Sequence, residues 1–411
     1  MNTNLDRIKH DIEKISKYNE TPGNGITRFT YSKEDKKVRE FFMDEFKKLQ
    51  LKTKVDGVGN IRARLEGSGG NLPVVMSGSH IDTVLHGGKF DGVAGAVCAL
   101  EVVRTIVEND IKIKHPIEVV IFAEEEGSNF GSSMAGSKVM VGEYGIDDIK
   151  KLKNNEGVSM YEMAKNFGLD PDKIEMDVIK TDEIKAMVEL HIEQGEVLDD
   201  EKISIGVVDA IAGSKWLKID LHGVSNHAGA TPMHLRQDPL VAAAKIIDQL
   251  GTIIRNKGFI TTVGTVGKIE CKPNIINSIP ERVSITLDIR DVNPKGIDMV
   301  VTEVEKLLEE IKTKNKIDFT MEIMGQSDPI ILSKSISDLI EQEASKMGIK
   351  YKRMNSGAVH DSSLLANITD VGMIFVPSIN GRSHVPEEKT EYKDIKRGCD
   401  LLLATIVNLA N

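Results

Sequence analysis

Short, continuously apolar runs alternate with helical patterns from about residue 30 to residue 210, and this alternation constrains the fold most strongly. The runs LPVVMSGSH, PIEVVIFAEEEG and KAMVELHIEQG are typical of buried strands. The stretch VAGAVCALEVVRTIVEND has apolar residues at three- and four-residue spacing, which indicates a helix. Strands that are apolar on both faces and joined by helices form largely parallel sheets. The sequence therefore predicts an α/β domain with a mixed, largely parallel sheet and helices on both faces.

The pattern changes near Ile211, where the strands begin to alternate between apolar and polar residues. The element order that follows is β-α-β-β-α-β, which predicts a ferredoxin-like α+β sandwich with one exposed sheet face. After residue 330 the helix and buried-strand pattern returns. We therefore expect one domain made of residues 1–211 and 330–411, with residues 212–329 inserted as a second domain. A length of 411 residues also favours two domains.

Strand alternation makes a specific prediction for the run ERVSITLDIRD in the inserted domain. Successive side chains of a strand point to opposite faces of the sheet. Ile285, Leu287 and Ile289 should therefore pack inward, and Arg290 should lie on the opposite face.

Charge and cysteine usage argue against several function classes. The net charge is −10, and the 53 basic residues are interleaved with 63 acidic ones, which argues against nucleic acid or an anionic membrane as a partner. The N-terminal stretch is charged throughout, so we expect no signal peptide. No run of 18 apolar residues occurs, so we expect no membrane span. Cys98, Cys271 and Cys399 show no CxxC spacing, so we expect reduced thiols in a cytoplasmic protein.

Metal-type ligands follow the predicted strands: His80 with Asp82 and Asp91, the EEE run at residues 124–126, His191 with Glu193, and His384. In such sheets, ligands bind beyond the carboxyl ends of the strands. Imidazoles and carboxylates without thiolates suit zinc, manganese or another borderline divalent ion. These residues exceed the needs of one tetrahedral ion and predict two ions about 3.5–4 Å apart that share a bridging carboxylate. A solvated loop residue is the alternative for each side chain alone, but it does not explain three adjacent, mutually repelling glutamates.

With these motifs the sequence resembles the M20 metallopeptidase family, and within it the hydantoinase/carbamoylase branch. The resemblance covers nearly the whole chain and is carried by GSHIDT, GGKFDG, AEEEGSNF, LHIEQG, SNHAGATPM, KPNIINSIPERVSITLDIRD, SGAVHD and NGRSHVPEE. HIEQG and NHAGATPM are specific to the branch. The resemblance implies a zinc-exopeptidase-like catalytic domain with two divalent metal ions per subunit, zinc or manganese. It also implies that the inserted domain is a lid through which the protein forms a homodimer.

The resemblance assigns the metal ligands to two sites that share the carboxylate of Asp91: His80 and His191 in one site, and Glu126 and His384 in the other. Glu125 is implied as the general base that deprotonates the attacking water. Asp82 is implied to orient the imidazole of His80 without itself binding the metal.

Residues implied to contact the substrate lie in both domains. His227, in SNHAGATPM, is implied to polarise the scissile carbonyl in the active site of the partner subunit. Asn277 and Arg290 are implied to bind the substrate carboxylate, for which the planar fork of an arginine is well suited. An ion pair with Asp288 or Asp291 is the alternative for Arg290.

Gln194 and His360 are further expected polar contacts of the substrate. The family usually reads SGAGHDA where this chain has SGAVHDSS, so Val359 replaces a glycine beside His360.

The implied reaction is metal-dependent hydrolysis of the ureido C–N bond of a small carboxylate, allantoate or an N-carbamoyl-L-amino acid, with release of ammonia and carbon dioxide. A dinuclear zinc aminopeptidase or deacylase is the alternative enzyme, but peptidase relatives use a carboxylate at the position of His191. The non-enzyme alternative is a catalytically dead binding scaffold. Such a scaffold should have lost a ligand or the base, whereas all of these positions are filled.

Overall fold

The computed structural model describes residues 2–411, and this part of the chain divides into two compact units. The first unit comprises residues 2–209 and Leu332–Asn411, and the second comprises Ala210–Ile331.

The α-helices of residues 2–411 are α1 Leu5–Ile15, α2 Lys33–Lys48, α3 Val93–Glu108, α4 Ala135–Met140, α5 Ile146–Lys151, α6 Met160–Phe167, α7 Ile174–Asp177, α8 Val197–Asp200, α9 Pro239–Lys257, α10 Pro294–Asn315, α11 Lys334–Lys346, α12 Asp361–Leu365 and α13 Tyr392–Leu409. Short 3-10 helices occupy Pro171–Lys173, Met233–Leu235 and Ile379–Gly381.

The strands of the same residues are β1 Lys52–Val55, β2 Ile61–Leu65, β3 Val74–His80, β4 Ile117–Phe122, β5 Ile184–Ile192, β6 Ile205–Ile211, β7 Gly213–His222, β8 Asn226–His227, β9 Val263–Lys272, β10 Ser278–Ile279, β11 Arg282–Asp291, β12 Asp318–Ser327, β13 Ile330–Ile331, β14 Tyr351–Ser356 and β15 Asp370–Val376.

The first unit is built on a mixed sheet with a parallel centre. Its strand order is β1-β2-β4-β3-β5-β15-β6, and β14 also pairs with β6. The four central strands β4, β3, β5 and β15 run parallel, whereas β2 and β6 pair antiparallel with this centre. The predicted mixed, largely parallel sheet is therefore confirmed. Because β3 and β5 are parallel neighbours, their carboxyl ends lie at the same edge of the sheet.

The two faces of the sheet differ at strand β5: one carries apolar side chains, and the other carries Glu189 and His191. Val188, Leu190 and Ile192 belong to the main apolar core, together with residues of α1, α3 and α13. The alternate residues Glu189 and His191 point to the other face, where the His191 ring packs against the residue that precedes α12. Helices therefore cover both faces of this sheet.

The second unit is an antiparallel sandwich. Its four-stranded sheet has the order β12-β7-β11-β9, and the chain passes through β7, α9, β9, β11, α10 and β12 in turn. This is a β-α-β-β-α-β arrangement. Helix α9 begins where Pro239 occupies its first turn and the Asp238 side chain accepts the backbone N–H groups of Leu240 and Val241, a combination that favours a helix start.

The alternation predicted for β11 is present. Ile285, Leu287 and Ile289 are buried in the core between the sheet and helices α9 and α10, and Thr286 and Arg290 lie half-buried on the opposite face.

Two properties of the chain bear on earlier expectations. No helix within residues 2–411 combines the length and the apolarity needed to cross a bilayer. The cysteines are free thiols, with Cys98 and Cys399 buried and Cys271 half-buried.

The alternation in β11 predicts opposite outcomes for neighbouring substitutions. Ile285→Ala should lower the free energy of unfolding by about 2–5 kcal/mol, because it leaves a cavity in the core of the second unit. The matched change Thr286→Ala should cost less than about 1 kcal/mol, since that side chain is half-buried on the face opposite the core. Urea denaturation followed by circular dichroism measures both, and equal losses would contradict the assigned faces.

Candidate metal centre

Side chains from separate segments of the first unit converge around Asp91, at the edge of the sheet where β3, β4 and β5 end. His80 is the last residue of β3, and His191 is the penultimate residue of β5. Glu126 follows β4, and His384 lies in the loop between β15 and α13. Asp91 itself lies just before α3.

Asp91 lies between three imidazoles. Its Oδ1 atom is 3.5 Å from Nε2 of His80 and 3.3 Å from Nε2 of His191. Its Oδ2 atom is 3.3 Å from Nε2 of His384, and that nitrogen is 3.5 Å from Oε2 of Glu126. Of the four groups of side chains able to hold a metal ion in residues 2–411, two contain Asp91: one is His80, Asp91 and His191, and the other is Asp91, Glu126 and His384. They share Asp91.

The two buried histidines present the nitrogen atom that a metal requires. Nδ1 of His191 lies 3.0 Å from the carbonyl oxygen of Ile192, and its Nε2 accepts the backbone N–H of Gly92. In the neutral ring the proton is therefore on Nδ1, and the lone pair of Nε2 faces Asp91. Nδ1 of His80 lies 3.1 Å from the carbonyl oxygen of Asp82, which fixes the same tautomer. The donor set fits a divalent metal ion.

Unsatisfied carboxylate oxygens support the same fit. Asp91 Oδ1 and Glu126 Oε1 are buried and have no hydrogen-bond partner within the described residues, although buried polar atoms are normally paired. Burial and the neighbouring Asp91 carboxylate raise the pKa of Glu126 to about 7. Burial opposes ionisation of Asp91 as well, but contacts with His191, His384 and His80 hold its pKa well below the usual range. The centre concentrates negative charge that a bound cation would neutralise.

Glu125 lies next to this cluster. It is buried, and its Oε2 atom is 3.7 Å from Nε2 of His80. Burial raises the pKa of Glu125 well above its usual value, and the negative charge of Glu126 adds to this effect while His80 opposes it.

Asp82 supports the glutamates more directly than it supports the imidazole. Its carboxylate oxygens accept the backbone N–H groups of Glu125 and Glu126, at 3.2 and 3.1 Å. The carboxylate is 3.8 Å from Nδ1 of His80, whereas the Asp82 backbone carbonyl is 3.1 Å away. The Asp82 carboxylate therefore lies within ion-pair distance of the His80 imidazole, while the backbone carbonyl of Asp82 makes the closer contact.

Glu124 has a different environment from the two glutamates that follow it. Its Oε1 atom accepts the backbone N–H groups of Asn129 and Phe130, at 3.0 and 2.9 Å. Its backbone is left-handed, with φ of 53°. Glu124 therefore organises the turn after β4, and it belongs to none of the groups able to hold a metal.

Gly92 allows the close approach of His80 to Asp91. Its φ is 64°, which a side chain disfavours, and an added Cβ atom would lie 2.5 Å from the His80 ring.

The two expected polar contacts of the first unit lie beside the cluster. Nε2 of Gln194 donates to Asp91 Oδ2 at 2.8 Å and lies 3.4 Å from Nε2 of His384. His360 is buried, with its ring packed edge-on against that of His191 at 4.5 Å between centroids. Burial and the neighbouring His191 lower the pKa of His360 well below its usual value.

His227 and Asn277 lie close together within the second unit. The short strands β8 and β10 pair, with Ser278 opposite His227, and the carbonyl oxygen of Asn277 accepts the backbone N–H of Ala228. Nδ1 of His227 accepts the backbone N–H groups of Gly229 and Ala230, at 3.1 and 3.2 Å. In the neutral ring Nε2 therefore carries the proton, and the exposed side chain can donate it.

Arg290 forms the ion pair that was the alternative to a substrate contact. Its Nε and Nη2 atoms lie 2.9–3.1 Å from the carboxylate of Asp288, two residues earlier on the same face of β11. Asp291 points to the core face and instead accepts the hydroxyl groups of Thr261 and Thr262.

Sequence analysis did not single out Ser383 and Glu388, although both lie within the motif NGRSHVPEE. The carboxylate of Glu388 is buried and accepts the backbone N–H groups of Phe90 and Asp91. The Ser383 hydroxyl lies within hydrogen-bond distance of both Asp91 and Glu388. Their proximity to His384 in the sequence could have marked them as candidate site residues. No sequence pattern indicates that Glu388 contacts residues 90–91.

Comparison with known proteins gives one consistent result. Residues 76–408 match the family described as Peptidase family M20/M25/M40. The chain is 37% identical to an N-carbamoyl-L-amino-acid amidohydrolase from Paenarthrobacter aurescens, over 97% of this chain and 96% of that protein. It is 34% identical to an allantoate amidohydrolase from Escherichia coli (strain K12), over 98% of this chain and 97% of that protein.

A solved structure agrees with these relatives. It is an amidase of the hydantoinase/carbamoylase family from Burkholderia multivorans, which superimposes with a TM-score of 0.93 at 29% identity and covers 100% of this chain and 98% of that chain. The chain therefore belongs to the M20 family of peptidases and amidohydrolases, within its hydantoinase/carbamoylase branch.

Proposed function

We propose that this protein hydrolyses the ureido C–N bond of a small carboxylate, either an N-carbamoyl-L-amino acid or allantoate. Its class is that of a hydrolase acting on non-peptide C–N bonds, since its full-length relatives are amidohydrolases. The observation that carries the proposal is the pair of ligand groups that share Asp91, with the buried carboxylate of Glu125 beside them.

The two ligand groups would hold two divalent ions, zinc or manganese, and Asp91 belongs to both groups. His80 and His191 would complete one position, and Glu126 and His384 the other. Bound there, such ions supply Lewis acidity for the carbamoyl oxygen and lower the pKa of water. All of these ligands are oxygen or imidazole nitrogen atoms, which suits borderline divalent ions.

Glu125 is proposed as the group that moves the proton. Its carboxylate takes a proton from the attacking water and then delivers it to the leaving nitrogen, so the same residue acts first as base and then as acid. The products are an amine and a carbamate, and the carbamate decomposes to ammonia and carbon dioxide. Asp82 supports this role because it fixes the backbone of Glu125 and Glu126.

Residues of the second unit are proposed to recognise the substrate. Nε2–H of His227 would donate to the carbamoyl oxygen, and the protein would be a homodimer in which His227 serves the site of the partner subunit. Asn277 and Arg290 would bind the substrate carboxylate. A carboxylate substrate would replace Asp288 as the partner of the Arg290 fork, an exchange between chemically equivalent acceptors. Gln194 and His360 are proposed as further polar contacts near the metal ligands.

The proposal is tested by measuring ammonia release after metal removal. Protein treated with a chelator should be inactive and should regain activity with zinc or manganese, because five side chains of metal-ligand type converge and two of their buried carboxylate oxygens have no hydrogen-bond partner within residues 2–411. The substrates to compare are allantoate, N-carbamoyl-L-amino acids, β-ureidopropionate and ureidoglycolate, with a dipeptide as the peptidase control. Full activity in protein shown to be metal-free by elemental analysis would refute the dinuclear centre, and turnover of the dipeptide alone would refute the substrate class.

The three adjacent glutamates offer a matched pair of substitutions. Glu125→Gln should lower turnover by ~100-fold or more, since an amide cannot take up the proton, while metal binding is retained. Glu124→Gln should be much milder, because the amide oxygen can still accept the N–H groups of Asn129 and Phe130. Steady-state kinetics and metal titration measure both variants. A severe defect in Glu124→Gln, together with an active Glu125→Gln protein, would show that Glu125 is not the base.

Subunit mixing tests the proposed contribution of His227 across a dimer. His227→Ala and Glu125→Gln should each be nearly inactive while remaining folded. In a mixed dimer, one site would combine wild-type Glu125 with wild-type His227 of the partner subunit. Random exchange should therefore restore up to about a quarter of wild-type activity, because about half of the dimers are mixed and half of their sites are intact. If exchange is demonstrated by mass spectrometry and activity stays absent, His227 does not act in trans.

A further inference from the structure

The loop that carries His384 is joined to the loop that carries Asp91 by a buried carboxylate. Glu388 Oε1 accepts the backbone N–H of Phe90 at 2.9 Å and that of Asp91 at 3.1 Å, across a separation of 297 residues between Asp91 and Glu388. Its other oxygen, Oε2, lies 2.9 Å from the hydroxyl group of Ser383. That hydroxyl is also 2.7 Å from Asp91 Oδ2.

Glu388 holds the backbone that leads into α3. Residues 90 and 91 precede the N-cap residue Gly92, and both of their N–H groups donate to the Glu388 carboxylate. The helix entry that positions Asp91 therefore depends on a carboxylate from the segment after β15.

Packing alone does not hold His384 in place. Its side chain is 48% exposed, whereas those of His80 and His191 are 3% and 1% exposed. Its backbone is left-handed, with φ of 59°, a conformation that a non-glycine residue keeps only when its surroundings impose it. Ser383, directly before it, and Glu388, four residues after it, connect this turn to Asp91, in addition to the side-chain link through Gln194.

We propose that Glu388, through its two backbone acceptor contacts and through Ser383, is a positioning residue that sets the distance between Asp91 and His384 and thereby the metal affinity of the group that contains them. This inference rests on the proposed function, since it assumes that Asp91 and His384 bind metal. Glu388 is not one of the proposed ligands. It fixes the backbone of one ligand and the loop of the other.

Cobalt titration of metal-free protein tests this inference without any activity measurement. Glu388→Ala should raise the Kd of the weaker-bound Co²⁺ by ~10–100-fold and alter the visible cobalt spectrum, as expected for loss of a group that orients metal ligands. Glu388→Gln should stay close to wild type, because its amide oxygen can accept both backbone N–H groups. Glu387→Ala is the matched control, since that neighbouring side chain is 60% exposed and lies 3.7 Å from Arg382 in an exposed ion pair.

Two further variants keep the test decisive if Glu388→Ala fails to fold. Ser383→Ala removes only the hydroxyl link and should weaken Co²⁺ binding by on the order of 10-fold. Gly88→Ala would place a Cβ atom 2.1 Å from the Glu388 carboxyl group and should displace it without deleting it.

The outcomes separate this inference from the proposed function. If wild-type protein binds no Co²⁺, both fail. If wild type binds Co²⁺ and the Glu388→Ala, Ser383→Ala and Gly88→Ala variants bind it with unchanged Kd and spectrum, the positioning role alone is overturned, even if the variants are less stable.

Discussion

The convergence of three imidazoles on the buried Asp91 carboxylate is the constraint on which the centre depends. His80, His191 and His384 come from three distant segments, and each places Nε2 within 3.3–3.5 Å of an Asp91 oxygen. A lone carboxylate at this depth would be strongly disfavoured by desolvation. The parallel pairing of β3 and β5 places His80 and His191, two of these imidazoles, at the same edge of the sheet. Burial raises the pKa of Glu125 and Glu126, and a cation bound beside them would favour their ionised forms.

Where a ligand lies at the end of a regular element, its position could be predicted from the sequence. His80 and His191 follow runs that are apolar on both faces, and such runs align at one edge of a parallel sheet. The same reasoning worked for β11, since strand period is fixed by backbone geometry and a single polar–apolar alternation decides which residues face the core. In both cases the local hydrophobic pattern and the overall fold require the same side-chain orientation.

The contacts that could not be predicted join segments whose approach depends on loops. Nothing in NGRSHVPEE indicates that Glu388 reaches residues 90–91, and nothing in LHIEQG indicates that Gln194 donates to Asp91. The backbone is left-handed at both His384 and Gln194. Neither of these turns is evident from the sequence. The helices α4 to α7 were also missed. They are short, and they form a separate apolar cluster with Tyr31 and Val58 from earlier in the chain, so no single stretch shows a complete helical periodicity.

The two ligand groups are stabilised in different ways, and this difference explains where the hydrogen bonds are concentrated. All members of the first group, His80, Asp91 and His191, are buried, so sheet pairing and side-chain packing fix their positions. The second group includes the exposed His384, which packing cannot hold. Hydrogen-bonding side chains gather on that side: Gln194, Ser383 and Glu388 all contact Asp91. Backbone groups supply the hydrogen bonds of His80 and His191 on the sheet side, whereas side chains supply those around Asp91 on the loop side, where the chain is exposed.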